Sequence, residues 1–461
     1  MLYSFLFFRA LMKIQLSDHF TYKKLLRFVM PSIVMMVFTS IYSVVDGLFM
    51  ANFAGSDAVA ATNLIFPLII ILGSIGFMLG VGGSALVSKT LGEGDKERAN
   101  AYFSLLVYFT AAVGVIIMVA GQLAVPWCAK VLSHSSEGKI YEYCVLYGRI
   151  LLAGQPFFIL QNIFQSFFVT AEKPRLGLAV TAGAGVMNMV LDAVLVAGFG
   201  LGLKGAAWAT FSSQVFGGIV PVFYFAFKNS SLLRFTKTKF YFRAILKSAT
   251  NGMSEFLSNV SFSVVMMLYN EQIIQYSAKQ GVAAYQAVAA YGAIGYVSMI
   301  FFAVFMGFAV GITPVIGYNY GAQNRDELKS LFKKCLIIVG ISGLLMTGLS
   351  EALAVPLVKI FNFDAEATAI TLRGHYIFST SYLIGGFGVF GSALFTALNN
   401  GLISGIISVV RTLVLRIVAV LTLPLMWGLD GVWAATTISE IFALAVTFAF
   451  ILAYRKKYGY A

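Results

Sequence analysis

Carboxylates inside apolar segments are the residues of this sequence with the clearest chemical meaning. Asp46 and Asp192 each lie within a long apolar run, and Asn188 precedes Asp192 by four residues, which places its amide on the same helix face. A charged side chain inside a bilayer costs at least about 2.5–3.5 kcal/mol, so such residues usually have a function. Burial and a second nearby negative charge both favour binding of a proton or another cation by a carboxylate. The three residues are therefore candidates for a site that binds a proton or a sodium ion.

The depths of the two aspartates predict that they share one site. At about 1.5 Å per residue, Asp46 lies roughly 28 Å and Asp192 roughly 25 Å from the side of the membrane at which the helix of each begins. Both fall in the first half of the chain. The alternative is that Asp46 lies at a helix end and faces water, because Gly47 and Asn52 follow closely.

A second group of polar residues lies in the other half of the chain. Glu255 and Asn259 fall in the segment "NGMSEFLSNV", where a spacing of four residues forms a polar stripe on one helix face. Such a stripe faces a cavity or neighbouring helices rather than lipid. We expect Glu255 and Asn259 to line a cavity in this half. The alternative for Glu255 is a structural carboxylate that is held by hydrogen bonds.

Three arginines and one glutamate are the other charges inside apolar runs. Arg416 and Glu440 lie in consecutive antiparallel segments and reach about 22 Å from the same side of the membrane. Opposite charges at equal depth predict a structural ion pair, because removal of one partner would leave the other buried and uncompensated. Arg149 and Arg411 have no such predicted partner.

The elements that position these residues are transmembrane helices. The chain is 59% hydrophobic and 11% charged, whereas soluble domains are about 45–50% apolar and about 25% charged. A spanning helix needs about 20 mainly apolar residues. The sequence therefore predicts an all-α polytopic membrane protein with twelve spans, at 25–50, 59–87, 100–125, 140–168, 176–199, 205–227, 246–270, 283–318, 335–357, 369–396, 402–426 and 431–454.

The basic residues predict the orientation of these spans. Of the 32 Lys and Arg residues, 23 fall in segments on the side of the N-terminus, 6 fall on the opposite side and 3 lie within spans. Because basic loops stay in the cytoplasm, we expect both termini and residues 228–247 to be cytoplasmic and the loop 126–139 to be external. The membrane concerned is expected to be the cell membrane. The net charge of +13 indicates contact with lipid phosphates rather than nucleic acid. No cleaved signal peptide is predicted, and either Met1 or Met12 is a plausible start.

The chain contains an internal repeat. At an offset of 229 residues, the segment "VGGSALVSKTLGEGDKERANAYF" after the second span matches "VGITPVIGYNYGAQNRDELKSLF" after the eighth. At an offset of 226, "GLKGAAWAT" matches "GLDGVWAAT". Two six-helix lobes with the substrate path between them are a transporter architecture. We predict a cytoplasmic segment at 1–24, an N-lobe at 25–228, a cytoplasmic linker at 229–245 and a C-lobe at 246–461.

Other classes of function lack their motifs in this sequence. The chain has no GxxxxGK[ST] phosphate loop and hence no ATP site of its own. Its three cysteines and three histidines show no metal-ligand spacing. We therefore expect a transporter rather than an enzyme, without a cofactor other than a coupling H⁺ or Na⁺. The expected partners are small-molecule substrates and membrane lipid, and the chain is expected to act as a monomer.

Several segments together resemble the multidrug and toxic compound extrusion (MATE) family over nearly the whole chain. They are "MPSIVMMVFTSIYSVVDGLFM", "GEGDKERA", "NMVLDAVLVAGFGLGLKGAAWAT", "GYNYGAQNRDELK" and the seventh-span Glu255. The resemblance implies a V-shaped antiporter that expels amphipathic, often cationic compounds in exchange for sodium ions or protons. It also implies that Asp46, Asn188 and Asp192 form the N-lobe cation site. Some members pair the seventh-span glutamate with an aspartate in the tenth span, which this chain lacks, so coupling is expected in the N-lobe.

Three other interpretations remain open at this level. A lipid-linked precursor flippase of the wider superfamily would need a cationic central cavity, for which Arg411 and Arg416 are the main candidates. A major-facilitator transporter also has six-plus-six helices, but its basic loop motif is absent from "GEGDKERA". A channel or receptor would not explain buried carboxylates in a duplicated fold.

Overall fold

The N-terminal half folds into six long helices, which suits a chain whose backbone polar groups must be satisfied inside lipid. The computed structural model describes residues 14–133, 135–279, 282–359 and 363–461. The helices are α1 (Tyr22–Phe53), α2 (Ser56–Gly92), α3 (Lys96–Ser133), α4 (Lys139–Thr170), α5 (Pro174–Leu191, continued by a π-helical segment Asp192–Gly198) and α6 (Gly202–Ala226).

The C-terminal half repeats this arrangement with more interruptions. Its helices are α7 (Phe242–Asn251), α8 (Met253–Lys279), α9 (Ala284–Gly321), α10 (Arg325–Ala352), α11 (Ala354–Lys359), α12 (Ala365–Ser379), α13 (Tyr382–Ala397), α14 (Gly401–Val409, followed by a π-helical segment Val410–Val414), α15 (Leu415–Trp427) and α16 (Leu429–Tyr458).

The predicted all-α architecture of twelve spans in two lobes is confirmed. Within the described ranges, ten helical segments are long and apolar enough to cross a membrane, and the bent pair α12–α13 forms an eleventh span. The remaining span is the seventh, formed by α7 and the 27-residue α8, where Glu255 and other polar residues lower the hydropathy. The structure thus places the polar stripe on one side of a helix whose other side exposes apolar residues such as Phe262 and Met267.

Two spans predicted as continuous helices are broken. The seventh span, predicted at 246–270, begins at Phe242, breaks at Gly252 and extends to Lys279. A Cβ atom at Gly252 would lie 1.9 Å from the Met78 carbonyl oxygen, so this glycine allows α2 to approach the backbone closely.

The tenth span, predicted at 369–396, bends by 47° between α12 and α13. Ser379 Oγ donates to the Tyr376 carbonyl oxygen at 3.0 Å, and Thr380 Oγ1 donates to the Ile377 carbonyl oxygen at 2.7 Å. Hydroxyl groups that bond back to carbonyls of the preceding turn compete with the helical backbone pattern and bend it. The predicted external loop 126–139 is also shorter than expected, because α3 continues to Ser133.

The two lobes meet through contacts that follow the internal repeat. A Cβ atom at Gly92 would lie 2.0 Å from the Tyr318 carbonyl oxygen, and one at Gly321 would lie 2.0 Å from the Lys89 carbonyl oxygen. The offset of 229 residues relates Gly92 to Gly321 and also Lys89 to Tyr318. Two equivalent glycines thus allow the ends of α2 and α9 to cross in backbone contact.

The segment that precedes α1 packs on helix ends of both lobes. Leu16 and Phe20 are buried, and their backbone N–H groups donate to Glu172 Oε1 and Glu327 Oε1, each at 2.9 Å. Glu172 belongs to the N-lobe and Glu327 to the C-lobe, so residues 14–21 connect both. The alternative start residues Met1 and Met12 lie outside the described residues.

Candidate functional site

The structure brings Asp46 and Asp192 together in the N-lobe. Asp46 lies in α1 and is half-buried, whereas Asp192 begins the π-helical segment after α5 and is 0% exposed. Their carboxyl groups lie within electrostatic range of each other, so a proton or cation bound at one acts on the charge of the other. The two side chains therefore form a single acidic pair rather than two separate sites, and Asp46 does not lie at the end of its helix.

The hydrogen-bonding groups around this pair are largely unpartnered. In the described part of the chain, no protein group bonds to Asp46 Oδ1, to either carboxylate oxygen of Asp192, or to the amide oxygen and nitrogen of Asn188. Buried polar groups almost always have partners, so such a cluster is characteristic of a binding site. Its oxygen atoms are the ligands that hard cations prefer, and a proton would also satisfy the pair.

The π-helical segment Asp192–Gly198 sets the position of the pair on α5. Asn188 lies one turn before Asp192 on the same helix and is also buried. A π-helical turn is wider than an α-helical turn and frequently occurs at functional sites. The spacing of four residues predicted that Asn188 and Asp192 share one helix face. No pattern in the sequence predicted the π-helical geometry of Asp192–Gly198.

Three tyrosines lie near the acidic pair, and among the 22 tyrosines of the chain only Tyr42 is linked to it by its spacing. Tyr42 in α1 and the buried Tyr147 in α4 lie within electrostatic range of Asp46, and Tyr147 is also within range of Asp192. Tyr296 comes from α9 of the C-lobe and is likewise close to Asp46. The spacing of four residues between Tyr42 and Asp46 was the one available signal, since it places both on one helix face.

A second charged cluster lies in the C-lobe. Arg416 Nη2 lies 2.7 Å from Glu440 Oε1, so the structure brings the predicted partners into contact. Arg411 Nε lies 2.9 Å and 3.1 Å from the two oxygens of the same carboxylate. Glu440 is 1% exposed, whereas Arg411 and Arg416 are 11% and 18% exposed. The cluster is thus a buried carboxylate shared by two arginines.

Arg411 had no predicted partner because a regular α-helix would place it on a different face from Arg416. In an α-helix, residues five apart point in different directions. The π-helical segment Val410–Val414 widens the turn between Arg411 and Arg416, and i→i+5 neighbours then lie on one face. Both guanidinium groups consequently reach Glu440.

The other predicted C-lobe residues lie near this cluster. Glu255 is half-buried in the first turn of α8 and lies within electrostatic range of Arg411. The Asn259 amide donates to the Glu255 carbonyl oxygen at 2.8 Å, so it is engaged with its own helix. Ser258 Oγ and Ser408 Oγ lie 2.6 Å apart and connect the polar stripe to α14.

The two lobes place different charges on corresponding spans. In the N-lobe, acidic residues occupy the first and fifth spans, and their carboxyl groups lie within electrostatic range of each other. In the C-lobe, the corresponding seventh and eleventh spans hold Glu255 and Arg411. An acid–acid pair requires a bound cation or proton, whereas the C-lobe contains its own positive charge beside its acid.

Comparison with known proteins gives a consistent result for both halves. The MatE family model matches residues 31–194 and 256–422, once in each lobe. The chain is 25% identical over 439 residues to the multidrug export protein MepA of Staphylococcus haemolyticus, and the match covers 93% of each protein. It is 24% identical over 429 residues to MepA of Staphylococcus saprophyticus, with 92% of each covered.

A similar fold occurs among solved structures. One is the outward-facing conformation of a multidrug resistance MATE family transporter of the MOP superfamily, with a TM-score of 0.89 and 24% identity. The superposition covers 98% of this chain and 99% of that structure. At 24% identity, this similarity shows that the two proteins share a fold.

Proposed function

Because the chain belongs to the multidrug and toxic compound extrusion (MATE) family of membrane transporters, we propose that it is a secondary active multidrug efflux antiporter. It expels amphipathic, often cationic compounds in exchange for H⁺ or Na⁺. The single observation that carries the proposal is the pair Asp46–Asp192 with its unpartnered oxygens inside the N-lobe. The names of the relatives, multidrug export proteins similar over more than nine-tenths of their length, support the class of cargo.

The coupling ion binds between the two carboxyl groups. Asp46 Oδ1, the Asp192 oxygens and Asn188 Oδ1 are the ligands for Na⁺, and the same carboxyl pair holds a proton when H⁺ is the ion. Two adjacent carboxylates in a low-dielectric interior repel each other, and a bound cation removes this repulsion. The local conformation of α1 and α5 therefore depends on ion loading.

Contacts between α1 and the C-lobe transmit this dependence. A Cβ atom at Gly47, next to Asp46, would lie 3.2 Å from Tyr296 Oη of α9. Ser40 Oγ donates to the Met299 carbonyl oxygen at 3.3 Å. A shift of α1 on ion binding changes this lobe–lobe contact and releases substrate to the outside. Such coupling requires the ion to bind one conformation more tightly than the other.

The charge balance of the C-lobe favours this function over that of a lipid-linked precursor flippase. Arg411 and Arg416 share Glu440, so the cluster carries far less positive charge than a cavity for a diphosphate requires. The family match over both halves also excludes the major-facilitator interpretation. We further propose that both termini are cytoplasmic and that the protein acts as a monomer.

Dye efflux from membrane vesicles tests the coupling site. Asp192→Asn mimics permanent protonation with little change in shape, so we expect normal expression and folding but efflux reduced to the level seen without a gradient. The matched control is Asp326→Asn, an equally conservative change at an exposed residue outside the site. Separate proton and sodium gradients identify the ion. Wild-type export rates for both Asp46→Asn and Asp192→Asn would place the coupling site elsewhere, with Glu255 as the next candidate.

A further inference from the structure

Two arginines of the C-lobe have guanidinium nitrogens that bond to no protein acceptor among the described residues. Each guanidinium carries five N–H donors. Arg411 uses Nε for both oxygens of Glu440, and Arg416 uses Nη2. In the described part of the chain, Arg416 Nε is buried without a hydrogen-bond partner, and no protein acceptor bonds to the two Nη groups of Arg411. The two arginines therefore share the Glu440 carboxylate, and each keeps N–H donors that do not bond to it.

The surrounding helices hold Arg411 so that one edge of its guanidinium is anchored and the other is accessible. Glu440 of α16 bonds the Nε edge from a fully buried position. Gly388 of α13 provides the space for the arginine stem, since a Cβ atom there would lie 2.7 Å from Arg411 Cδ. Arg411 itself remains 11% exposed. The accessible edge carries the paired Nη groups, which bind carboxylates and other oxyanions in a bidentate manner.

Glu255 leaves this edge available. It lies within electrostatic range of Arg411, but within the described residues the ion pairs of Arg411 and Arg416 are all with Glu440. Within the described residues, the C-lobe therefore has a carboxylate and a guanidinium within electrostatic range of each other but without an ion pair between them. This arrangement is complementary to a ligand that carries a positive and a negative group.

We propose that Arg411, with Arg416 beside it, is a subsite for the carboxylate or other oxyanion of a zwitterionic amphipathic substrate, whose cationic part lies toward Glu255. The subsite rests on the proposed efflux function, because it defines which substrates the C-lobe accepts. An oxyanion bound at Arg411 provides hydrogen-bond acceptors for its Nη groups, which bond to no protein acceptor in the described part of the chain. Substrates with an acidic group in addition to their cationic group are thus bound more tightly than their esters.

A matched pair of dyes tests this subsite. Rhodamine 110 has a free carboxylate, and rhodamine 123 is its methyl ester, with the same cationic ring system. Binding of each dye is measured by fluorescence polarisation with the purified full chain in lipid nanodiscs. The variants are Arg411→Gln, Arg411→Lys and the control Arg149→Gln, which removes an intramembrane arginine outside the site.

We expect the wild-type chain to bind the acid more tightly than the ester. Loss of hydrogen bonds to a charged group in Arg411→Gln should weaken binding of the acid by at least about tenfold and that of the ester by less than about twofold. Arg411→Lys keeps the charge but loses the planar fork, so its affinity for the acid should be intermediate. Arg149→Gln should behave as wild type.

Three results would overturn the subsite. Wild-type protein that binds and exports the ester but not the acid would refute it and leave the efflux function intact. Equal losses for both dyes in a folded Arg411→Gln or Arg411→Lys variant would make Arg411 a structural residue. Binding of neither dye by folded wild-type protein would contradict both proposals. Should Arg411→Gln fail to fold, Arg411→Lys and the wild-type comparison of acid with ester decide the question.

Discussion

Glu440→Gln is expected to destabilise the protein more than the loss of either arginine that it binds. The carboxylate is 1% exposed and lies within 3.1 Å of donors from both Arg411 and Arg416. Its replacement by an amide leaves two positive charges in the lobe interior without an ion-pair partner among the described residues. Removing one partner of a buried ion pair typically costs about 3–5 kcal/mol. Arg411→Gln or Arg416→Gln leaves Glu440 with its other partner, so the cost there is about 1.5–3 kcal/mol for a lost charged hydrogen bond.

Thermal unfolding of the purified variants in one detergent measures this order. For a folding unit of about 200 residues, each kcal/mol lost from the free energy of unfolding lowers Tm by about 2–4 °C. Glu440→Gln should therefore lower Tm by about 6–20 °C. Either arginine variant should lower it by about 3–12 °C. Glu271→Gln, at an exposed glutamate of the same lobe, is the control. A triple variant that neutralises all three residues should recover part of the loss. A Tm for Glu440→Gln no lower than that of either arginine variant would refute the shared-carboxylate interpretation.

Two further predictions concern the lobe contact and the topology. Gly92→Ala adds a methyl group that would lie 2.0 Å from the Tyr318 carbonyl oxygen, so we expect dye efflux to fall at least severalfold, whereas Gly348→Ala has open space and should behave as wild type. Wild-type efflux by Gly92→Ala would show that the close crossing of α2 and α9 is not needed. Lys239 is exposed in the linker between the lobes, and the excess of basic residues in the linker predicts a cytoplasmic position. With the native cysteines replaced, Lys239→Cys should therefore not react with a membrane-impermeant thiol reagent in intact cells, and labelling there would reverse the orientation.

The sequence alone was sufficient for the fold class, the twelve spans and the internal repeat. These properties depend on local composition, since a run of about 20 apolar residues in lipid has few alternatives to a helix. The intramembrane charges were also evident from the sequence, because their cost in lipid makes them rare. The pairing of Asp46 with Asp192 and of Arg416 with Glu440 was predicted from their depth in the membrane. This depth is the number of residues from the helix end multiplied by the helical rise per residue.

Only the tertiary structure decided features that depend on contacts between distant segments or on departures from regular helical geometry. The breaks at Gly252 and near Thr380 arise from a neighbouring backbone and from hydroxyl groups that bond to carbonyls. The π-helical segments moved Arg411 onto the face of Arg416, which a regular helical projection excludes. Tyr147 lies on another helix within electrostatic range of the acidic pair, and its position in the sequence does not predict this proximity. Depth is a one-dimensional property that residue counting supplies, whereas the direction in which a side chain points around its helix depends on packing in three dimensions.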